Sequence, residues 1–503
     1  MWARAMRQSS VAAFVAIALS GGCAVGPNYR RPTVETPSRY GDPAATQPAS
    51  TQVSAVEAGE TPWVDWWAKL NDVELDSLVT RAVAANHELR EATARVADAR
   101  AATRVANSRL YPSIDIGAVM AGTRGSAAGF GFPYGAPGIA ESVYQIGFDA
   151  SYEVDVFGGI RRSVEAAGAS AEAVEYDRGV VQLTLLGEVA HSYVLLRTLQ
   201  RRLNIARQNL DDQRRTLDVV QRRLHNGVAA TFDVVRARAE VEATEANIPP
   251  LEAGIRQTIY ALSLLLGKAP LDLVSELSTD APLPKLPKLI PIGLPSELLR
   301  RRPDVMSAER SLAAATALQG VAVADLFPHL ILGGTAGVQS TRTDDLFSQH
   351  NPSSGYYLAG PSANWTLFDG GRRLANIDRS KAVIEAATAH YEEAVLGALR
   401  DVESSLTALS HDQARRDTLA AVVADAQEAV RIARNEYSNG LVDLLDVLEV
   451  QRTLYGAQDA QAQADLAVST DMIGLFKALG GGWETPPTGA PSRPLAAADR
   501  GTP

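Results

Sequence analysis

Between Phe157-Gly158-Gly159 and Asn226-Gly227 nothing interrupts a helical pattern, and the same holds between LFDGGRR (367–373) and Asn439-Gly440. Each run is about 65 residues, which at 1.5 Å per residue reaches about 100 Å. A helix of that length has no place inside one compact domain, so the chain must pair long helices side by side. The first run carries an apolar seam: Leu196, Leu199, Leu203, Ala206, Leu210, then Leu217, Val220 and Leu224, with Gln213 skipped. Steps of three and four are those of coiled-coil packing, and Arg, Gln, Asp and Asn fill the rest as a solvated face requires.

Both runs end on Asn-Gly, a pair that tolerates the left-handed conformation and so stops a helix cheaply. After Asn226-Gly227 a return helix is predicted from an N-cap at Thr231 to Leu266, stopped by Gly267 and kinked or broken at Pro249-Pro250. YSNGLVDLLDVLEVQR (437–452) turns back in the same way, with apolar residues resuming at Leu441. Asp446 and Glu449 lie three apart, hence on one face, and Leu445 stands one turn before Glu449.

Upstream, Trp63, Trp66 and Trp67 supply apolar area, and Asp72 can cap a helix that begins near Val73 and runs through Asn86 to about Leu110, ended by Pro112. From Ser113 the period becomes two: Ile114, Ile116, Ala118 and Met120, then, after a Gly-rich loop (122–138), Tyr144, Ile146, Phe148, Ala150, Tyr152, Val154 and Val156. Strands of ten or more residues suit a tilted bilayer crossing, though a soluble two-stranded ribbon has the same pattern.

The chain then repeats itself. Phe327-Pro328 follows Tyr111-Pro112 by 216 residues, LFDGGRR follows VFGGIRR by 211, and Asn439-Gly440 follows Asn226-Gly227 by 213, as Asp446 follows Asp233. Landmarks in one order at nearly one offset imply a duplication. Second-half strands are expected at 329–341 and 355–368, joined by a loop containing Asp344, Asp345 and Asn351, and Ser296 is a candidate cap. The segment 268–293 reads as an irregular linker. Four strands per chain leave open edges that lipid does not tolerate, so a membrane reading demands closure between copies, eight strands from two or twelve from three.

The N-terminus, with Arg4 and Arg7 before the apolar run from Val11 to Leu19, has the form of a signal peptide (1–22). The single cysteine, Cys23, excludes an intrachain disulfide. Its setting after LSGG resembles a bacterial lipoprotein signal, with Ser20 where Leu is usual; the alternative is a buried free thiol in an uncleaved leader. No later apolar run reaches 18 residues, so a crossing would be made by strands. The net charge of −10 and the lack of basic runs with interleaved aromatics set nucleic acid aside.

CAVGPNYRRP (23–32), GLPSELLRRRPDV (293–305), WTLFDGGRR (365–373), YSNGLVDLLDVLEVQR and FKALGGGW (476–483) resemble the TolC-type outer-membrane efflux factors, more narrowly the NodT-like lipoproteins of resistance-nodulation-division pumps. The resemblance implies a mainly α fold with β: a homotrimer whose twelve-stranded outer-membrane β-barrel continues as a periplasmic α-helical barrel. It divides the chain into a lipidated arm (23–71), a first repeat (72–267), an equatorial linker (268–293), a second repeat (294–479) and a disordered tail (480–503). Its implied partners are a periplasmic adaptor protein, an inner-membrane pump and outer-membrane lipid, with small toxic compounds as cargo. Exit from a protein-secretion system and a non-conducting envelope scaffold are the alternatives.

In that family acids of the second tip ring the periplasmic aperture, a role that falls on Asp446 and Glu449, with Leu445 as an apolar ring beside them. Acids early in a helix also simply complement its dipole. The first tip has Asp233 where the second has Asp446, and Arg236 where it has Glu449, which makes the second hairpin the expected moving gate. Adaptor contact is expected at Asn226, Gly227, Val228, Asn439, Gly440 and Leu441. No HExxH pair or phosphate loop appears, so no enzyme, cofactor or metal site is read. Arg300-Arg301-Arg302 reads as an exposed helix end.

Overall fold

The computed structural model describes residues 24–35, 37, 40–41, 55–57, 64–125, 139–287, 289–291, 295–346 and 354–484. The signal peptide, Cys23, Trp63, Asn351, most of the Gly-rich loop and the tail from 485 onward lie outside the described residues. The chain forms two compact units, the first from residues 1–32, 96–174 and 308–391, the second from residues 33–95, 175–307 and 392–503.

In the first unit four strands form an antiparallel sheet in the order β2-β3-β5-β6: β2 (Ser113–Gly125), β3 (Ile139–Val154), β5 (His329–Ser340) and β6 (Gly355–Asn364). β6 ends earlier than its alternation suggests, because Trp365 turns back and donates its indole N–H to the Leu326 carbonyl at 3.0 Å. Beyond the sheet ends, Phe157 and Phe327 stack with centroids 4.5 Å apart. Residues 24–31 dock here. Val25 N–H donates to the Phe157 carbonyl (3.1 Å), the buried Arg162 guanidinium donates to Asn28 (2.5 Å), and Tyr29 donates to Glu309 (2.6 Å). Gly26, at φ +88°, lies so close to Gly320 that no Cβ fits.

The second unit has its core around Trp66, Trp67, Leu75, Leu78, Leu186, Tyr193, Ile259, Met472 and Phe476, with Trp66 stacked on Phe476 at 5.2 Å. Asp72 caps α1 (Val73–Ala85), accepting from the Glu74 and Leu75 amides at 3.0 Å. The helix expected to pass through Asn86 breaks there. Asn86 is extended (ψ 133°), its Oδ1 accepts from Leu89 N–H at 2.9 Å, and its Nδ2 donates to Leu265 O at 2.9 Å, so a buried amide caps the start of α2 (His87–Ser108).

α3 (Gly159–His225) and α9 (Arg372–Ser438) have 67 residues each. One stretch of α3 is apolar enough to cross a membrane by length and composition, but most of it is buried within the fold. The predicted seam is the buried one, and Gln213 is buried with it. The return helix of the first half is divided into α4 (Thr231–Ala246) and α5 (Ile248–Leu265). Thr231 is not the cap: Ala230 holds that place, and the Asp233 carboxylate accepts its N–H at 3.1 Å.

The linker is less irregular than expected. It contains α6 (Val274–Leu277) and β4 (Leu289–Pro291), which pairs in parallel with β1 (Ala55–Glu57). Ser296 lies inside α7 (Pro295–Arg301), not at its cap, and α8 (Pro303–Ala324) follows. Arg302 is tucked in rather than exposed, donating to Asp304 (2.7 Å), Asp401 (3.1 Å) and the Ala478 carbonyl (3.2 Å). α10 (Leu444–Ala478) closes the second half. The first residues assigned to a disordered tail are packed: Trp483 donates to Arg301 O at 2.9 Å and meets Tyr176 edge-on at 5.9 Å.

Candidate functional site

The sheet has two chemically different faces. Ile114, Ile116, Ala118 and Met120 lie in rows with Ala150, Phe148, Ile146 and Tyr144, and these with Gly334, Ala336, Val338 and Ser340. Ile114, Ile116, Met120 and Phe148 are 70, 69, 79 and 58% exposed within the chain. Apolar area left open at about 25 cal/mol per Å² belongs in hydrocarbon rather than water. The other face carries Asp115, Gln145, Asp149, Glu153, Gln339 and Tyr356. Asp115 stands directly opposite Asp149, a like-charge pair that is destabilising unless water screens it. Gly117, Gly147 and Gly337 form one row, ended by Tyr356, which lies across Gly147 and Gly337 and whose hydroxyl accepts from Gln145 Nε2 at 2.7 Å. One wet face, one greasy face and two unpaired edge strands, β2 and β6, are what a segment of a membrane barrel requires.

The two tips are built alike. Gly227 and Gly440 both sit at φ +75°, and the amides of Val228 and Leu441 return to the Arg223 and Glu436 carbonyls at 2.9 Å, the six-to-one bond of a Schellman turn. Val228 and Leu441 are largely exposed. In the second tip Asp446 reaches back and accepts the Asp443 N–H at 3.2 Å, as Asp233 does for Ala230. So Asp446 is a capping residue whatever else it does. Leu445, Asp446 and Glu449 share the exposed face, while Leu444, Val447 and Leu448 are buried. Among the described residues Arg236 meets no acid; its guanidinium lies 5.6 Å from the Phe232 ring centroid.

Sequence reasoning missed the ties between the hairpins. Arg223 stacks on Tyr437, Arg452 pairs with Glu240, and Arg434 pairs with Asp212 at 3.0 Å. The Gln451 amide reaches Thr216 at 3.0 Å, and with its oxygen turned inward it accepts from Arg434. No spacing along the chain marks these pairs, because each joins residues about 200 or more apart.

A two-faced antiparallel sheet and two 67-residue helices in one chain are the parts of an outer-membrane channel of the helical-barrel kind. The profile of outer membrane efflux proteins matches residues 78–268 and again 294–481. The chain is 36% identical over 431 residues to the pyoverdine export outer membrane protein OpmQ of Pseudomonas aeruginosa, covering 84% of this chain and 88% of that protein. It is 30% identical over 454 residues to nodulation protein T of Rhizobium leguminosarum bv. trifolii, covering 89% and 91%. Among solved structures, the outer-membrane channel OprN superposes with a TM-score of 0.83 at 34% identity, over 92% of this chain and 100% of that one. The chain belongs to the outer membrane efflux protein family, with the TolC-like channel fold.

Proposed function

We propose that three copies of this chain close one pore and serve as the passive exit duct of a resistance-nodulation-division efflux system for small toxic compounds. The observation that carries this reading is the two-faced sheet with both edges open: it is stable in lipid only when β6 of one copy pairs with β2 of the next. The docking of Ala24 against Gly158, just past the end of β3, supports acylation of the preceding Cys23 as a lipid anchor. The exposed turns at Asn226, Gly227, Val228, Asn439, Gly440 and Leu441 supply the surface for a periplasmic adaptor, and the inner-membrane pump supplies the energy.

Leu445, Asp446 and Glu449 form the gate. Three copies put six carboxylates in a wet neck, which favours cations. Purified protein in planar bilayers tests the duct: trimer-dependent ion conductance is expected, and its absence would leave a scaffold. Crosslinking from Val228 and Leu441 to the adaptor tests the tips.

A further inference from the structure

The return helices of the two halves differ in one respect that bears on how a tip could move. α10 runs uninterrupted for 35 residues. Its counterpart is interrupted at Asn247 and resumes with Pro249 and Pro250 in the first turn of α5. Prolines are tolerated there because the first-turn amides have no partner within their own helix. For α4 the consequence is the reverse: the carbonyls of Glu245 and Ala246 stand four residues before prolines without an N–H, so two successive bonds of the ladder between α4 and α5 are missing. Asn247 closes the end locally, its N–H donating to Thr244 O and its Nδ2 to Ala243 O, both at 3.1 Å. Its φ of −83° and ψ of −12° keep the path helical, so the break is one of bonding rather than direction.

Sideways, α4 packs against both α10 and α3, whose Leu217, Val220 and Leu224 lie in the same cluster. Val234 and Ala237 pack with Leu444 and Leu448 of α10, beside Val220 of α3. Glu240 pairs with Arg452 of α10. Toward α3 a polar tie is Arg214–Glu245, 3.3 Å long and exposed at both ends.

We propose that residues 247–250 are a hinge, and that α4 loosens there from α5 and moves on its own against the first turns of α10, carrying Asp233 and Arg236 of the first tip relative to Asp446 and Glu449. The first hairpin then contributes a moving element of its own beside the acids of the second. This rests on the gate reading above, and the experiment separates the two.

Hydrogen exchange is measured on the intact trimer in lipid nanodiscs, and conductance in planar bilayers. Amides of α4 are expected to exchange about tenfold faster than those of the first half of α10, since a segment with one bonded end opens on its own. Pro249→Ala/Pro250→Ala restores the ladder and is expected to bring α4 close to the α10 rate. The same change is expected to reduce by about half or more any conductance increase produced by Asp446→Ala/Glu449→Ala. Equal exchange of α4 and α10 in the unaltered protein, or α4 exchange unmoved by the proline replacements, overturns the hinge. Pro249→Ala alone serves if the double variant does not assemble. If the acid replacements leave conductance unchanged, the gate reading fails, while the exchange comparison still decides the hinge.

Discussion

The Arg223 guanidinium lies 4.4 Å from the centroid of the Tyr437 ring and donates to the Tyr437 carbonyl at 2.9 Å. One side chain thus grips the last turn of the other hairpin by its ring and by its backbone. Tyr437→Leu removes the ring alone and is expected to weaken the tie by about 0.5–1 kcal/mol. Arg223→Ala removes both contacts and is expected to weaken it by about 2 kcal/mol. Hydrogen exchange of the amides 437–441 in the two single variants and the double variant gives the coupling; additive effects would mean the residues do not act together.

Asp446 holds two roles that one substitution confounds. Asp446→Ala/Glu449→Ala is expected to raise single-channel conductance and weaken block by divalent cations, but loss of the Asp446 cap also costs about 1 kcal/mol of helix start. Asp446→Asn/Glu449→Gln keeps a capping acceptor and removes the charge. The same gain in conductance from this pair assigns the effect to charge, and unchanged conductance and block in both pairs would sink the gate.

The duplication predicts a strand register for the proposed pairing between copies. β5 follows β2 by 216 residues, and the hairpin ladders put β6 at 213 after β3. Transferring the β3–β5 pair Ala150↔Gly334 by those offsets sets Ala363 of one copy opposite Ala118 of the next. Ala118→Cys/Ala363→Cys is expected to oxidise to covalent trimers, while Ala118→Cys/Asn364→Cys, with the second thiol on the other face, is not. Efficient crosslinking of the second pair would refute the register.

Much of this was legible in the chain because helices and strands write their burial into the spacing of apolar residues. Leu196 to Leu224 show it plainly, and Ile114 to Met120 show the same for a sheet face that stays exposed within the single chain. Gln213 looked like a gap in the seam, yet it is 5% exposed, with an Oε1 that finds no partner among the described residues. Periodicity reads polarity, not position. Asn86 breaks a helix through hydrogen bonds from its own amide, a choice made by tertiary neighbours such as Leu265. The β1–β4 pair is three residues long, too short for alternation to register. The tip acids were legible as a face, but the ties that hold the tips together depend on which helices lie adjacent.

Asp471 of α10 gives the fold a pH dependence with a defined sign. Burial, reinforced by the neighbouring Asp412 carboxyl, pushes Asp471 up from 3.8 to about 7, and its Oδ2 is buried with no hydrogen-bond partner among the described residues. A carboxyl that holds its proton more tightly folded than unfolded makes the folded state bind more protons between about pH 4 and 7. Stability from this group therefore falls as pH rises across that window and stays at its lower level above pH 7. With the shift discounted for partial exposure, the difference between pH 5 and 8 is on the order of 2 kcal/mol. Asp471→Asn carries no titrating proton, so it is expected to flatten that part of the profile and to stabilise the protein at pH 8 while changing little at pH 5. Thermal unfolding of the trimer in detergent across this range reads the difference directly; parallel profiles for the two proteins would mean that Asp471 stays charged in the folded chain.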